Sequence, residues 1–562
     1  TFKVEQKPER VPSISFAGGE KLVGAAWVKG KWVAAYNPNP KLLSWTEWMA
    51  DSMSVVWSNI GNEKASGFYK ELSLDRKLHP STVAFIDRKG IELQKQNTTP
   101  AAGGKDAWKN NLPVRIGLTV MRLSSGADNG SILGLGGFPR SASGNQWQKL
   151  CYDKDCLLLP PAKTVEKRFP PILKTLYNSD RNFEPIAMGS STKPMWAAAV
   201  LSLRPKWSLE KIFKVPNGEA QDTTVFGLQI SDKPWMVHKT VASPVDFDHF
   251  LAESNNRYQV HLGFLGLARE SDKVVVTETD RFNESQPLIM NGKPWKKIPK
   301  FDDDLLFSAE RPQEMQNVHN TDLAKRMRAL FGVKTSRKYA FERQDDDFGS
   351  YMNSFWTKNE ADDVPGRNKL MQKALSPAIL PARTNLQLDR IKKPRDYVTW
   401  LLGGGENRWS NVQAAAAFGS AVTGRQILPH IIKNDVQPTF YNRDENFFPV
   451  AEALRPGLRA VAMEPYGTAY KKFSGDAQNF LKELEAKGWF IYAKSGTLDE
   501  KDGEISRLIL AIVKFEDAER KKVKNGLVFS LYVEVPTEGK ASVWLGDFLT
   551  ENKGDIQLLL NQ

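Results

Sequence analysis

Three short patterns combine residue types that can run acyl-transfer chemistry. The first is Gly189-Ser190-Ser191-Thr192-Lys193-Pro194. If a helix opens at Ser190, Lys193 lies one turn on and on the same face. A serine hydroxyl is a weak nucleophile at its ordinary pKa and needs a base within hydrogen-bond reach. A lysine held in dry surroundings gives up its proton more readily and can be that base. The helix N-terminus adds N–H groups suited to a developing oxyanion. The second pattern is Ser254-Asn255-Asn256, where a hydroxyl can relay a proton and the Asn256 amide can bind both a lysine and a peptide carbonyl. The third is Lys494-Ser495-Gly496-Thr497. There Lys494, Ser495 and Thr497 can grip a carboxylate, while Gly496 lets another backbone come close. An exposed strand edge at that point can pair with an extended peptide.

Each pattern alone is more often a helix cap, a loop amide or an ordinary strand end. Ser-x-x-Lys recurs at Ser208 and Lys211, and Ser-x-Asn at Ser143 and Asn145. Order selects among them: Ser143 precedes Ser190, and the pair at Ser208 lacks the preceding Gly and following Pro.

The elements that must position these residues can be read coarsely. Residues 114–123 and 131–137 read as strands, with a turn between them. The chain is helical from Ser190 to about 203. Ser243, Pro244 and Asp246 read as a helix start, with Ser243 as cap and Pro244 in the first position. Ala-rich residues 414–421 read as a helix. Three C-terminal strands follow at 488–494, 507–515 and 527–535, the last two joined by an Asn525-Gly526 turn. Residues 542–560 read as one closing helix. Upstream, 45–57 reads as an amphipathic helix and 82–94 as two strands around a polar turn. Residues of about 270–395 are polar with weak periodicity and read as an insertion. Strands at both ends around a helical middle predict an α+β domain whose sheet uses both ends of the chain.

The chain has 562 residues, 41% hydrophobic and 10% aromatic, which excludes a disordered polymer. Its net charge of +13 is scattered, and the one dense basic run, residues 520–524, reads as a solvated hairpin tip rather than a nucleic-acid patch. No apolar run is long enough to span a bilayer. The six histidines are dispersed and form no metal-binding pattern, so neither metal nor cofactor is expected. Glycine runs at 134–137 and 403–405 lack the lysine of a phosphate loop and read as turns. Cys151 and Cys156 are either a small disulfide or two separate thiols; a disulfide is the preferred reading and fits an oxidising compartment.

The ordered triple resembles the penicillin-binding proteins, active-site serine D,D-peptidases related to the serine β-lactamases. The resemblance extends over about 110–562. It includes the segment from Gly403-Gly404-Gly405-Glu406-Asn407 to Pro429-His430, similar to the glycine-rich turn and following helix of transpeptidase domains. Ile86-Asp87-Arg88-Lys89-Gly90 resembles the Asp-Arg-x-Gly element that precedes such domains. The resemblance implies an antiparallel sheet flanked by helices over 111–562, with an insertion at about 270–395 and a smaller N-terminal accessory domain over 1–110. By position, Ser190 is the acylated nucleophile, Lys193 its general base, Ser254 the proton shuttle, Asn256 the substrate-orienting amide and Lys494 the source of positive potential. Ser495, Gly496 and Thr497 bind substrate, and the N–H groups of Ser190 and Thr497 form the oxyanion hole.

The implied reaction is D,D-transpeptidation on D-Ala-D-Ala stem peptides of peptidoglycan, with β-lactams trapping the same acyl-enzyme. A glycosyltransferase or other cell-wall proteins are the implied partners. The resemblance also implies an extracytoplasmic or periplasmic location, with attachment to a membrane expected through a segment before Thr1. No glycosyltransferase motif lies upstream, which argues against a bifunctional synthase. Two alternatives stand beside this reading. One is a β-lactam- or muropeptide-binding sensor or scaffold, motivated by the insertion. The other is a D,D-carboxypeptidase or β-lactamase, for which no glutamate announces itself as a deacylating base.

Overall fold

The structure is a computed structural model. It describes short strands between residues 2 and 37, then residues 80–98, 114–138 apart from 127, 182, 186–203, 244–267, 321–331, 394–405, 407–427, 448–500, 503–535 and 544–561, with isolated residues and two- or three-residue strands between them. The predicted helix at 45–57 and both cysteines lie outside the described residues.

Five antiparallel strands form the main sheet: β1 (Arg115–Leu123), β2 (Ile132–Phe138), β3 (Phe490–Glu500), β4 (Gly503–Phe515) and β5 (Val523–Val535). Their spatial order is β3-β4-β5-β1-β2. Strand β1 docks on β5 with Leu123 opposite Gly526 and Arg115 opposite Glu534, so the sheet joins the two ends of the chain as the pattern predicts. Nearly every residue of β1 and β5 is buried, which requires cover on both faces.

The helices supply that cover. They are α1 (Pro80–Thr98), α2 (Lys193–Leu203), α3 (Phe247–Glu253), α4 (Asn256–Leu265), α5 (Asp322–Phe331), α6 (Pro394–Leu401), α7 (Asn411–Thr423), α8 (Phe448–Met463), α9 (Gly475–Ala486), α10 (Trp544–Glu551) and α11 (Lys553–Asn561). Helices α1, α9, α10 and α11 enclose one core with Phe85, Phe480, Phe529, Phe548 and Leu560. Helices α7 and α8 pack on the sheet, and α2 packs against both. The fold is α+β.

Several local expectations are corrected. Residues 82–94 are not two strands but part of α1. Thr82, Phe85, Ile86, Gly90 and Leu93 are buried at helical spacing, and the polar Asp87-Arg88-Lys89 stretch is the outer face of the helix, not a turn. A Cβ at Gly90 would lie 2.2 Å from the Phe138 ring, so the glycine marks close packing. The outer face is tied down by Arg88 to Glu551, by Lys89 to Asp547 at 2.9 Å and by the Thr82 hydroxyl to Asp555 at 2.6 Å.

Asn525-Gly526 is not the hairpin turn. Both residues lie inside β5, and the connection is 516–522, where the Asp517 carboxylate accepts the N–H groups of Lys521 and Lys522 at 2.8 and 2.7 Å. A Cβ at Gly526 would sit 2.8 Å from the Ile512 carbonyl, and the Asn525 amide bonds Arg122 and the Leu560 carbonyl. The pair therefore serves sheet packing and the docking of α11. Arg520, Lys521 and Lys522 are exposed at the tip, as expected for the basic run.

The cap of α3 is Asp246, which accepts from the His249 N–H at 2.9 Å; Pro244 precedes the helix because Val245 pairs with Val215. Residues 134–137 belong to strand β2, which bears out the 131–137 strand reading and corrects the reading of that glycine run as a turn. The closing helix is two, broken at Asn552. Within the polar 270–395 stretch, α5 is amphipathic and buries Leu323, Met327, Leu330 and Phe331 against α2 and α7.

Phe85 is the test of how firmly α1 belongs to this core. Phe85→Ala is expected to lower unfolding stability by about 3 kcal/mol in chemical denaturation. A loss below about 1 kcal/mol would mean that α1 is not docked.

Candidate active site

The site forms where the sheet's outermost strand, β3, meets two helix entrances. Gly189–Thr192 is a tight 3-10 turn that feeds α2, so the α-helix starts at Lys193 rather than at Ser190 as predicted. Gly189 has φ +51° and its N–H donates to the Gly403 carbonyl at 3.0 Å. Gly403 itself has φ +86°, and a Cβ there would lie 2.0 Å from the Gly189 carbonyl oxygen. The glycine-rich turn after α6 is thus an abutment for the Ser190 turn. Asn407 braces it further, donating to the Trp400 carbonyl at 2.7 Å and to the Thr192 hydroxyl at 3.4 Å. On the other side, a Cβ at Gly496 would lie 2.6 Å from the Ser191 nitrogen and 3.1 Å from the Ser190 nitrogen. Only glycine lets β3 lie this close to the turn.

Helix α2 is apolar on all sides and buried, which fixes Lys193 at its first position in a dry setting. Its Nζ donates to the Ser254 carbonyl at 2.5 Å, to the Asn256 Oδ1 at 2.8 Å and contacts the Ser254 Oγ at 3.0 Å. Ser254 sits between α3 and α4 with φ 62°, a left-handed conformation uncommon for a residue with a side chain. That conformation turns both its carbonyl and its hydroxyl to one ammonium. Asn255 then caps α4 by accepting the Tyr258 N–H at 2.8 Å. From β3, Lys494 Nζ reaches the same Ser254 Oγ at 2.9 Å and the Ser495 carbonyl at 2.9 Å. The structure therefore joins Lys193, Ser254, Asn256 and Lys494 in one hydrogen-bonded group. Ser190 is half-buried beside it, and its backbone lies against Gly496. Thr497 is exposed at the end of the site.

Lys193 and Lys494 are both fully buried, and among the described residues neither has a carboxylate partner. Burial pushes the Lys193 ammonium well below its ordinary pKa, and the Lys494 charge pushes it further. Burial likewise pushes Lys494 down to about 7, with the Lys472 charge adding to the effect. One neutral lysine beside one ammonium satisfies every contact. Both Nζ atoms stand at the Ser254 Oγ, and Lys193 also reaches the Ser254 carbonyl and the Asn256 oxygen. Such a group has the chemistry to move a proton through the Ser254 hydroxyl.

Sequence reading missed four contributors. Ser495 Oγ donates to the Thr468 hydroxyl at 2.8 Å. Thr497 Oγ1 lies 3.3 Å from Ser506 Oγ, which in turn donates to Glu504 at 2.9 Å. Lys472 bears on Lys494 through its charge. None of these has a spacing signal; only strand pairing and the 464–468 loop bring them in. His249 stacks on Tyr466 and its ring contacts Asp246, while the His261 ring contacts the Arg257 carbonyl, so both have structural partners. No cluster of metal-ligating side chains occurs among the described residues.

No family model matches this sequence. No curated protein matches it either. Solved structures similar to it include penicillin-binding proteins. The PBP2 of Helicobacter pylori shares 17% identity at a TM-score of 0.42, over 79% of this chain and 60% of that one. The transpeptidase domain of Burkholderia pseudomallei penicillin-binding protein 3 shares 13% identity at 0.38, over 85% and 97%. The PBP2 of Pseudomonas aeruginosa shares 14% at 0.43, over 84% and 75%. This chain thus spans about 60% of the length of the Helicobacter protein.

The lysine pair is open to direct titration. With 13C-labelled lysine side chains, NMR is expected to show Lys494 titrating near 7 and Lys193 losing its proton well below the ordinary lysine range. Lys472→Met removes a neighbouring cation and is expected to move the Lys494 titration upward. Two lysines titrating near the ordinary lysine value would refute the shared-hydroxyl arrangement.

Proposed function

We propose that this chain is a penicillin-binding D,D-transpeptidase that forms a serine acyl-enzyme with D-Ala-D-Ala stem peptides during peptidoglycan crosslinking. The observation that carries this reading is the meeting of Lys193 and Lys494 at the Ser254 hydroxyl, next to the half-buried Ser190. Acyl transfer from a peptide needs an activated hydroxyl, a proton route to the leaving amine and positive potential for a terminal carboxylate. The three motifs supply one each.

In the proposed sequence, Ser190 Oγ attacks the carbonyl carbon of the penultimate D-Ala while its proton passes to neutral Lys193. The N–H groups of Ser190 and Thr497 face the developing oxyanion. As the C–N bond breaks, the proton moves through Ser254 to the departing D-Ala amine. An acceptor amine then attacks the acyl carbon, the bond to Ser190 Oγ breaks, and the serine regains a proton by the same route. The Asn256 amide orients the donor peptide, and its carboxylate lies at the corner of β3 formed by Lys494, Ser495 and Thr497. The outermost position of β3 suits an extended peptide lying alongside it.

The same reading takes β-lactams as trapping substrates, stem peptides as natural ligands and an extracytoplasmic location. It assigns 111–562 to the transpeptidase domain and 1–110 to an accessory region whose last helix, α1, docks on it. No helix among the described residues is long and apolar enough to cross a membrane. A carboxypeptidase or β-lactamase differs only in using water as acceptor, and a sensor or scaffold only in lacking turnover; the test separates all three.

A fluorescent penicillin is expected to label the wild type covalently and to leave Ser190→Ala blank. Lys193→Met is expected to slow labelling by about 10²–10⁴-fold, as for removal of a general base. Labelling that persists in Ser190→Ala would sink the assignment. With a D-Ala-D-Ala donor and an added acceptor amine, the expected product is the new amide. Hydrolysis alone would indicate a carboxypeptidase, rapid loss of the penicillin adduct a β-lactamase, and a stable adduct without peptide turnover a sensor.

A further inference from the structure

We propose that Thr468 is a substrate-binding residue of this site: its hydroxyl donates to the donor peptide's terminal carboxylate, with Ser495 behind it as an aligning donor. The proposal rests on the acyl-enzyme reading above and refines which hydroxyl meets the substrate.

Each hydroxyl has one proton, and the structure shows where two of them go. Ser495 Oγ donates to Thr468 Oγ1 at 2.8 Å. Ser506 Oγ donates to Glu504 Oε1 at 2.9 Å. Ser506 then has only lone pairs left for Thr497 Oγ1, 3.3 Å away, which draws the Thr497 proton inward. Thr468 accepts from Ser495 and keeps its own proton, for which the described residues provide no acceptor. It is half-buried and lies on the same side of β3 as Ser495 and Thr497. A carboxylate carries only acceptors, so the hydroxyl with an unused proton is its natural partner.

Position supports the same role. The loop 464–468 is folded tightly onto α8: the Gly467 N–H bonds the Glu464 carbonyl at 2.8 Å, and a Cβ on Gly467 would lie 2.1 Å from the Ala460 carbonyl oxygen. The Thr468 N–H donates to the Ala252 carbonyl at 3.0 Å, two residues before Ser254. Thr468 is thereby fixed to the Ser254 turn through its backbone and to β3 through its side chain. The buried cation of Lys494 and the half-buried one of Lys472 give this corner the sign a carboxylate needs.

The test compares a fluorescent penicillin with its free carboxylate against the same probe as a methyl ester, measuring acylation rate constants on wild type, Thr468→Val, Thr468→Ser and Ser495→Ala. Thr468→Val is expected to slow the acid by about tenfold or more, the loss of a hydrogen bond to a charged group, and to leave the ester within about twofold. Thr468→Ser is expected to restore the acid rate. Ser495→Ala is expected to cost less than Thr468→Val, because it leaves the Thr468 proton in place. Equal slowing of acid and ester by Thr468→Val would make the residue structural only. A larger, carboxylate-dependent loss in Ser495→Ala than in Thr468→Val would return the contact to Ser495. Either result overturns the proposal while Ser190 labelling stands. Failure of the wild type to take up either probe would end the acyl-enzyme reading and this inference together.

Discussion

Two lysines meeting at one serine hydroxyl, with no carboxylate among the described residues to neutralise them, is the constraint around which the described fold is arranged. Removing an ammonium from water without a counter-charge is costly, and placing a second beside it is costlier. The group answers by releasing a proton, so the dry helix α2 and the inner position of Lys494 on β3 act as pKa-setting devices as much as packing. The left-handed Ser254 adds a strain of about 1–2 kcal/mol. It is held because Asn255 caps α4 and bonds back to the Phe250 carbonyl at 3.0 Å. The positive-φ glycines at 189 and 403 and the close-packed Gly496 belong to the same device. They let three backbones approach more closely than side chains allow.

Behind the site, a polar network joins the elements that carry it. The Asn411 amide donates to the Ser530 carbonyl at 2.7 Å and to Asn182 at 2.9 Å, and its oxygen accepts from Arg507 at 3.1 Å. One residue at the start of α7 thus ties β4, β5 and the segment leading to Ser190. Arg507 is fully buried, stands over the Tyr532 ring and is pushed down by burial to about 10, so it stays charged at neutral pH. Its Nε and Nη2 have no partner among the described residues. An incompletely paired cation contributes little to net stability, but removing its one amide partner would leave it more exposed to that desolvation cost. The network holds the start of α7 to β1, β4, β5 and Asn182 in one register.

Much of this was legible in the sequence because it rests on short-range pattern. Strands β1, β4 and β5 announce themselves by β-branched and apolar runs, and the three motifs carry the reactive side chains with local spacing. What failed did so for identifiable reasons. Residues 82–94 contain a polar triplet and a glycine that mimic a turn, whereas burial recurs there at three- and four-residue spacing. Asn525-Gly526 has hairpin chemistry, yet the close approach of Ile512 and the hold on Leu560 need those residues inside a strand. The capping role went to Asp246 because Val245 was already claimed by a β-bridge. Thr468 and Lys472 were out of reach altogether: their part in the site depends on a loop meeting the face of β3, and no spacing in one dimension encodes that meeting.

The lysine pair also sets stability against activity. A lysine in the unfolded chain keeps its ordinary pKa of about 10.4, whereas Lys494 in the fold is pushed down to about 7. Between those values the unfolded chain binds more protons than the folded one, so folding becomes more favourable as pH rises through that window. Below about 7 both states hold the proton and the full cost of the buried cation remains. The proposed acyl-transfer mechanism uses a charged Lys494, and that form lies at the lower edge of this window, where the fold still bears most of that cost. A site with two methionines in place of the lysines would fold more readily at neutral pH and could move no proton. On the proposed function, keeping both lysines is a stability cost that proton transfer requires.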